Sequence, residues 1–162
     1  RASDGVRTHI KQGMFAQSMF ARNTFDCICI FQTLDHFLDP AKVLADALAI
    51  LKPGGVLLAI NHNLNAVSAK VLGEKSPIID IEHTYLYTPK TARVLFQKVG
   101  FDVIQILSSS SHHSLGYLFS LLPVQPIKLK KLLHSLLEVT RLARVPLFVP
   151  IGNIAIIVCK SL

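Results

Sequence analysis

The feature that most constrains the fold is a pair of short apolar runs separated by a helix-like segment. The first run, CICIF, covers residues 27–31, and the second, VLLAI, covers residues 56–60. Short, continuously apolar runs are typical of strands buried on both faces of a parallel sheet, so we expect Cys27 and Cys29 to be buried thiols. Asp39 followed by Pro40 predicts a helix start, and the PGG of residues 53–55 predicts its end. The stretch therefore predicts a βαβ unit.

The same pattern returns further along the chain. Thr88 and Pro89 provide a second helix start, and Gly100 provides its end. Between them, Ala92, Leu95, Phe96 and Val99 recur at helical spacing, and an apolar strand over residues 101–107 follows. Two α/β units in succession predict a doubly wound sheet of the α/β class.

After residue 107 the pattern changes. We expect the SSSSHHS of residues 108–114 to be a polar loop, and residues 127–144 to form a helix with one leucine-rich stripe. A last strand is predicted over residues 153–160, so residues 108–152 form a helical insertion or lid. The leucine-striped helix has three interpretations: it packs on the sheet, it forms a lid or dimer face, or it contacts a membrane surface or a lipid-like acceptor through its flanking basic residues.

Composition narrows the class of protein. With 51% hydrophobic and 17% charged residues, the chain has the material for a core and is not disordered. The net charge of +7 permits an anionic partner, but the chain has no dense basic block with interleaved aromatics, so we expect no nucleic-acid binding. Three cysteines are too few for a disulfide framework or a zinc site, and we expect a cytoplasmic protein. Prolines interrupt the apolar run of residues 145–159, which argues against a membrane span.

In open α/β sheets the ligand lies beyond the carboxyl ends of the strands. Three stretches are predicted to lie there: residues 31–36, residues 61–65 and residues 108–114. Among them, His36 is a candidate general base, although a histidine between a strand and a capped helix is also a common structural residue. Asn61 and His62 are candidate substrate-binding residues.

Two longer stretches resemble the class I S-adenosylmethionine-dependent methyltransferases. They are NTFDCICIFQTLDHFLDPAKVLADALAILKPGGVLLAI and IEHTYLYTPKTARVLFQKVGFDVIQI, and the resemblance covers roughly residues 5–107, with residues 153–160 as the closing strand. It implies a Rossmann-like, mostly parallel sheet whose last strand is antiparallel. It also implies S-adenosylmethionine as cofactor and methyl transfer to a small-molecule acceptor. This reaction is an in-line displacement, so positioning supplies much of the catalysis.

The resemblance also implies roles for individual residues. Gly13, Met14 and Phe15 match the loop that flanks the adenine, and residues 31–33 match the strand end that borders the methionine moiety. By position, the cofactor-binding residues are therefore Gly13, Met14, Phe15, Phe31, Gln32 and Thr33. His83 and Tyr85 match a segment that covers the acceptor pocket.

In some relatives, the loop that follows the strand ending at residues 31–33 is richer in acidic residues and binds a divalent metal. In this chain the corresponding residues are Gln32, Asp35 and His36, and an amide replaces one carboxylate. Because that replacement weakens a site for a hard cation, the sequence predicts no metal.

The family's glycine-rich loop and the acidic residue that holds the ribose have no counterpart in this sequence. We therefore expect residues 1–162 to form a single, partial methyltransferase domain whose sheet is incomplete at its N-terminal side. An alternative is a non-catalytic remnant that serves in packing or oligomerisation, and exposed strand edges would favour homo-oligomers. A nucleotide-dependent oxidoreductase is disfavoured because its glycine-rich fingerprint is absent from these residues.

Overall fold

The computed structural model describes residues 3–76, 78–122 and 124–162. Its sheet has the order β1-β2-β4-β3. The first three strands in the chain run in one direction, and the last runs antiparallel to both of its neighbours. The strands are β1 (Phe25–Phe31), β2 (Leu51–His62), β3 (Phe101–Ser114) and β4 (Pro146–Lys160).

Six α-helices are found in the described part of the chain. They are α1 (Asp4–Arg7), α2 (Pro40–Ile50), α3 (Val67–Leu72), α4 (Pro89–Val99), α5 (Leu115–Leu121) and α6 (Ile127–Val139). The strand directions and the helices between β1 and β3 confirm the predicted α/β class and the antiparallel last strand.

The helix boundaries of the two α/β units follow from local chemistry. The Asp39 carboxylate accepts a hydrogen bond from the backbone N–H of Lys42 at 2.9 Å, and Pro40 occupies the first turn of α2. Thr88 and Thr91 exchange side-chain and backbone hydrogen bonds in a capping box at the start of α4. Gly100 ends α4 with φ +107°, a conformation that L side chains rarely adopt. All three predicted signals are confirmed.

The sequence predicted that the PGG of the LKPGG segment ends helix α2, and the structure shows a different role. Helix α2 already ends at Ile50, and Pro53–Gly55 lies inside β2. Phe25 pairs with Leu51 whereas Cys27 pairs with Val56, so the residues between Leu51 and Val56 form a bulge against β1. Gly54 has φ +73°, and a Cβ on Gly55 would come within 2.8 Å of the Leu51 side chain. The glycines therefore permit the bulge and do not stop the helix.

The core lies between the sheet and the helices α2 and α4. The aromatic rings of Phe96 and Phe101 meet edge-on at 5.8 Å where α4 turns into β3. Further residues buried in this core come from α2, α4, β2 and β4: Leu44, Ala47, Ala92, Leu57, Ala59, Ile154, Ile156 and Val158. This layer fixes the strands β1 and β2 relative to each other.

Strand β1 lies at the edge of the described sheet, and one of its faces is open. Cys27 and Cys29 share that face and are exposed, so the prediction of buried thiols was wrong. The prediction assumed cover on both faces, and the described residues place no helix against this one. Phe31 at the end of the strand is likewise exposed.

Residues 108–114 were predicted to be a loop, and that prediction was wrong. They continue β3, and the early part of β4 pairs with them: His112 lies opposite Phe148 and His113 opposite Leu147. Ring contact between His112 and Phe148 at 5.1 Å supports this pairing. Cross-strand pairing thus overrides the weak strand propensity of the serines. The helical part of the insertion is consequently limited to the stretch between β3 and β4.

Helix α6 was predicted to reach residue 144, but it ends at Val139. Arg141 then adopts a left-handed conformation, and a short 3₁₀ turn covers Leu142–Arg144. No residue of α6 is buried, so it is not a core helix packed on the sheet. With α5 and the turn it lines an apolar cavity of about 320 Å³. None of the helices described has the length and apolar character needed to cross a lipid bilayer.

Candidate active site

The carboxyl ends of β1 and β2 lie side by side, as the sequence predicted. Phe31 pairs with Ile60, and the backbone N–H of Gln32 donates to the Ile60 carbonyl at 2.8 Å. The stretches after the two strands therefore emerge at the same edge of the sheet.

Gln32 makes a sharp turn at this edge. Its φ is +48°, a left-handed conformation that is unfavourable for a residue other than glycine. Thr33 follows, and its hydroxyl donates to the Phe31 carbonyl at 2.6 Å. Backbone strain of this kind is concentrated at functional sites, which directs attention to this turn.

An apolar cleft of about 230 Å³ opens beside β1. Three of the predicted cofactor-binding residues, Phe15, Phe31 and Thr33, line it together with Ile28, Cys29, Ile30, Phe37, Val43 and Ala47. Gly13 and Met14 do not line this cleft, and 83% of Met14 is exposed. The cleft is smaller than the roughly 300–1,000 Å³ of most small-molecule sites, so its size suits only part of a nucleoside cofactor.

A second, more polar cavity of about 410 Å³ also borders the turn. Gln32 and His62 line it together with Ser68, Leu72, Ser76, Ile78, His113, Tyr117, Gly152 and Asn153. Gln32, predicted to bind the cofactor, therefore faces this cavity and not the apolar cleft. His113 arrives from the extended strand β3, which is why its position could not be assigned from a presumed loop.

Two predicted substrate residues differ in accessibility. Asn61 is fully buried, lines neither cavity, and its side-chain amide has no hydrogen-bond partner among the described residues. Tyr85 is partly exposed; its backbone N–H donates to the Asp35 carbonyl at 3.2 Å. Asn61 therefore borders neither cavity, whereas Tyr85 lies at the surface beside the turn.

Four residues from three parts of the chain form a compact cluster, hereafter the histidine cluster: Asp35, His36, His62 and His83. The Asp35 carboxylate is 1% exposed and lies at the centre. The Nε2 atoms of the three histidines are each 3.9 Å from one of its oxygens: His36 from Oδ1, and His62 and His83 from Oδ2. These distances are too long for hydrogen bonds.

The outer nitrogens of the three histidines each meet an oxygen atom. His36 Nδ1 is 2.9 Å from the Glu82 carbonyl, and His62 Nδ1 is 3.1 Å from the side-chain oxygen of Asn153. His83 Nδ1 lies 3.0 Å from an Asp80 carboxylate oxygen, at an angle outside hydrogen-bond geometry. Since these oxygens can only accept a hydrogen bond, the Nδ1 atoms of His36 and His62 carry a hydrogen, and their Nε2 atoms face Asp35.

Long-range contacts hold the cluster together. Asp35 and His36 lie in a 3₁₀ turn after β1, and His62 ends β2. The segment that carries His83 is tied to this edge where the backbone N–H of Leu64 donates to the Tyr87 carbonyl at 2.8 Å. Tyr87 is buried against the turn, with its hydroxyl 3.5 Å from the Leu34 carbonyl. Burial, reinforced by the Asp35 carboxylate, raises the pKa of Tyr87 and keeps it protonated.

Burial also sets the charge of His62, which lines the polar cavity together with His113. It lowers the pKa of His62, and this effect outweighs the opposing influence of the Asp35 carboxylate. His62 is therefore neutral near pH 7, with an available Nε2 lone pair. The cluster offers uncharged imidazole nitrogen at His62 beside a buried carboxylate, a combination suited to accepting a proton or binding a cation.

The sequence assigned the three histidines to separate roles: His36 as a base, and His62 and His83 as substrate contacts. The structure brings these three together, but around Asp35, which was not among the predicted site residues. Position in the sequence gave a partial signal, because Asp35 follows β1 and His62 is the last residue of β2 at the same edge of the sheet. Only the folding back of the segment before α4 adds His83.

Comparison with known proteins identifies the family. The model of a methyltransferase domain family matches residues 3–106, which is more than half of the chain. Among curated proteins, no sequence matches this chain.

Solved structures with low sequence identity share the fold. An S-adenosylmethionine-dependent methyltransferase from Archaeoglobus fulgidus is 18% identical with a TM-score of 0.54, over 98% of this chain and 66% of its own. A proposed methyltransferase from Bacillus halodurans is 18% identical with a TM-score of 0.55, over 88% and 67%. The [4+2]-cyclase SpnF is 15% identical with a TM-score of 0.50, over 88% and 52%.

The chain thus corresponds to between about half and two thirds of the length of these similar structures. Their common architecture is the Rossmann-like α/β fold of the S-adenosylmethionine-dependent methyltransferases. At these identities the similarity concerns the fold, and the cyclase illustrates that one fold serves different reactions. The match of the family model over residues 3–106 shows that this chain belongs to the family of methyltransferase domains.

Proposed function

We propose that this domain takes part in methyl transfer from S-adenosylmethionine to a small-molecule acceptor. The observation that carries the proposal is that two consecutive residues face different cavities. Thr33 lines the apolar cleft and Gln32 lines the polar cavity. In-line displacement at a sulfonium methyl requires donor and acceptor on opposite sides of the methyl group, and the turn after β1 provides such a junction.

On this proposal the apolar cleft takes part of the donor. Phe15 and Phe31 offer aromatic surface to the cofactor, and Thr33 borders its methionine moiety. The acceptor enters the polar cavity, whose volume lies within the usual range for small-molecule sites.

The proton balance assigns a role to the histidine cluster. The methyl group leaves a sulfonium, which becomes a neutral thioether, and bonds to a lone pair of the acceptor. An acceptor that arrives protonated must lose that proton, and a histidine beside the cavity can take it. His36 was predicted to be this base; His62 lines the cavity directly and is an alternative with the same chemistry.

Binding of S-adenosylhomocysteine, measured by isothermal titration calorimetry, tests the donor site. The critical variant is Phe31→Ala, and the matched control is Phe148→Ala, because Phe148 is also an exposed aromatic residue but lies in β4 away from the cleft. We expect Phe31→Ala to weaken binding about tenfold, equivalent to about 1.4 kcal/mol, and the control to leave it unchanged. Absence of binding, both in this chain and in a longer protein that contains it, would instead support the non-catalytic remnant.

The remaining predictions from the sequence need separate measurements. Light scattering over a range of concentrations tests the proposed homo-oligomer, and vesicle sedimentation with anionic lipids tests the proposed surface contact of α6. The proposed cytoplasmic location calls for fractionation of cells.

A further inference from the structure

The Asp35 carboxylate is the starting point. Both of its oxygens are buried, and neither has a hydrogen-bond donor among the described residues. A buried carboxylate without donors is unfavourable, so native proteins pair it, neutralise it or use it to bind a cation.

The surrounding nitrogen atoms favour a cation. One oxygen of Asp35 and one ring nitrogen each of His62 and His83 all lie within 4.8 Å of one another. Ligand atoms around a tetrahedral zinc ion, with bonds of about 2.0–2.2 Å, lie roughly 3.4 Å apart. Small rotations of the three side chains would therefore bring the ligand atoms to bonding distance around a central ion.

The outer contact of His62 is of the kind expected around a metal. A ligating histidine usually donates its other ring N–H to a carbonyl or carboxylate, which fixes the ring and turns the lone pair inward. His62 has such a partner in Asn153, whereas His83 Nδ1 lies 3.0 Å from an Asp80 carboxylate oxygen without hydrogen-bond geometry.

We propose that Asp35, His62 and His83 form a binding site for a divalent first-row transition metal, with Zn²⁺ as the best fit. Two imidazoles and one carboxylate suit such an ion better than Mg²⁺, which prefers oxygen ligands and retains several waters. His36 is a positioning residue, since its Nδ1 lies 2.9 Å from the carbonyl oxygen of Glu82, the residue before His83.

This proposal replaces the prediction from the sequence that there is no metal. That prediction rested on Gln32, Asp35 and His36, which are close together in the chain. His62 and His83 come from other segments, and their imidazoles change the preferred class of cation from hard to borderline.

Three protein ligands leave a coordination position free on a tetrahedral ion. His62 also lines the polar cavity, so a ligand in that cavity can approach the ion. An oxygen or nitrogen atom of the acceptor would take this position. Because the lone pair of His62 then binds the ion, the base of the proposed function would be His36. This last step rests on the proposed function, whereas the metal site does not.

Zinc binding to tag-free, chelator-treated protein tests the site. Calorimetry should give one Zn²⁺ per chain at a site that Mg²⁺ does not fill, and Co²⁺ should produce the visible absorption of a low-coordinate complex. We expect Asp35→Asn, His62→Gln and His83→Gln each to weaken binding at least about 100-fold. We expect Asp80→Asn and His36→Gln each to weaken Zn²⁺ binding about tenfold. This is the low end of the effect usually caused by replacing a residue that contacts a metal ligand. The control is His9→Gln, because His9 is exposed and outside the cluster.

A thermal melt separates a metal site from a set of ion pairs. If the cluster is built for a metal, Asp35→Asn leaves the metal-free Tm unchanged or raises it, because it removes an unpaired buried charge. Zn²⁺ then raises the Tm of the wild type and not that of the variant. A wild type that binds no Zn²⁺, or equal Zn²⁺ binding by wild type and Asp35→Asn, overturns the proposal, and a lowered metal-free Tm of the variant would then identify the cluster as a set of ion pairs. Neither readout involves the methyl donor, so failure here is distinct from failure of S-adenosylhomocysteine to bind.

Discussion

The α/β unit of residues 25–106 and the helical segment of residues 115–144 bury their apolar residues to very different extents. In the first, α2 and α4 place leucine, alanine and phenylalanine side chains in a continuous core with β2 and β4. In the second, Gly116 and Ala143 are the only buried residues among those described. Of the leucines of α6, three are exposed and two are half-buried. Both segments have helical periodicity, so periodicity alone does not tell whether a stripe is covered.

The difference matters for function because the candidate active site depends on the first segment. The turn after β1 and the end of β2 are held by the core, whereas α5 and α6 contact mainly each other and the 3₁₀ turn between them and β4. We therefore expect the two segments to respond separately to substitution.

The largest effect is expected in the core of the α/β unit. Phe96→Ala should lower the free energy of unfolding by about 3–5 kcal/mol, because it leaves a cavity under the sheet where Phe96 is fully buried. Urea unfolding followed by circular dichroism measures this change. The same measurement on Phe148→Ala should show a much smaller loss, and comparable losses would contradict the contrast in burial.

A tight backbone contact in the helical segment gives the next largest effect. A Cβ on Gly116 would lie 2.9 Å from the Ala143 Cβ and 3.2 Å from its carbonyl oxygen. Gly116→Ala should therefore separate α5 from the 3₁₀ turn at a cost of about 1–3 kcal/mol. Hydrogen exchange should accelerate for amides of residues 115–144 and stay unchanged in β1 and β2. Faster exchange throughout the sheet would show that the two segments unfold together.

A smaller effect is expected at the end of α4. Gly100→Ala places a Cβ on a residue with φ +107° and should cost about 1–2 kcal/mol in unfolding free energy. Gly5→Ala is the control, because nothing lies within 4 Å of its added Cβ and its φ is unstrained. If both variants have the wild-type midpoint in thermal unfolding, the left-handed conformation at Gly100 does not contribute to the stability of the α/β unit.

The smallest effect is expected on the outer face of α6. Leu132 is 59% exposed, so Leu132→Ala should change the unfolding free energy by no more than about 0.5 kcal/mol. Chemical denaturation at two protein concentrations provides the measurement. A loss above about 1 kcal/mol that grows with protein concentration would show that α6 is buried between copies of the chain.

Several features of the candidate site could be predicted from the sequence. Phe31 and Thr33 lie at the exit of β1 as expected, and both line the apolar cleft. Gly13 and Met14 could not be placed by their motif, because a loop's contacts depend on neighbouring structure and not on its own sequence. Asn61 was predicted to contact substrate because it lies near the end of β2. However, side chains along β2 point alternately to the two faces of the sheet, and that of Asn61 points inward.

By itself the sequence determined the two α/β units, since strand runs, Asp39 and Thr88 caps and the Gly100 stop all act within a few residues. Only the tertiary structure decided that residues 108–114 pair with β4, that α6 is left uncovered, and that His62 and His83 meet Asp35. These features join residues that are tens of positions apart, and the free energy of such contacts comes from packing and pairing that no local pattern contains.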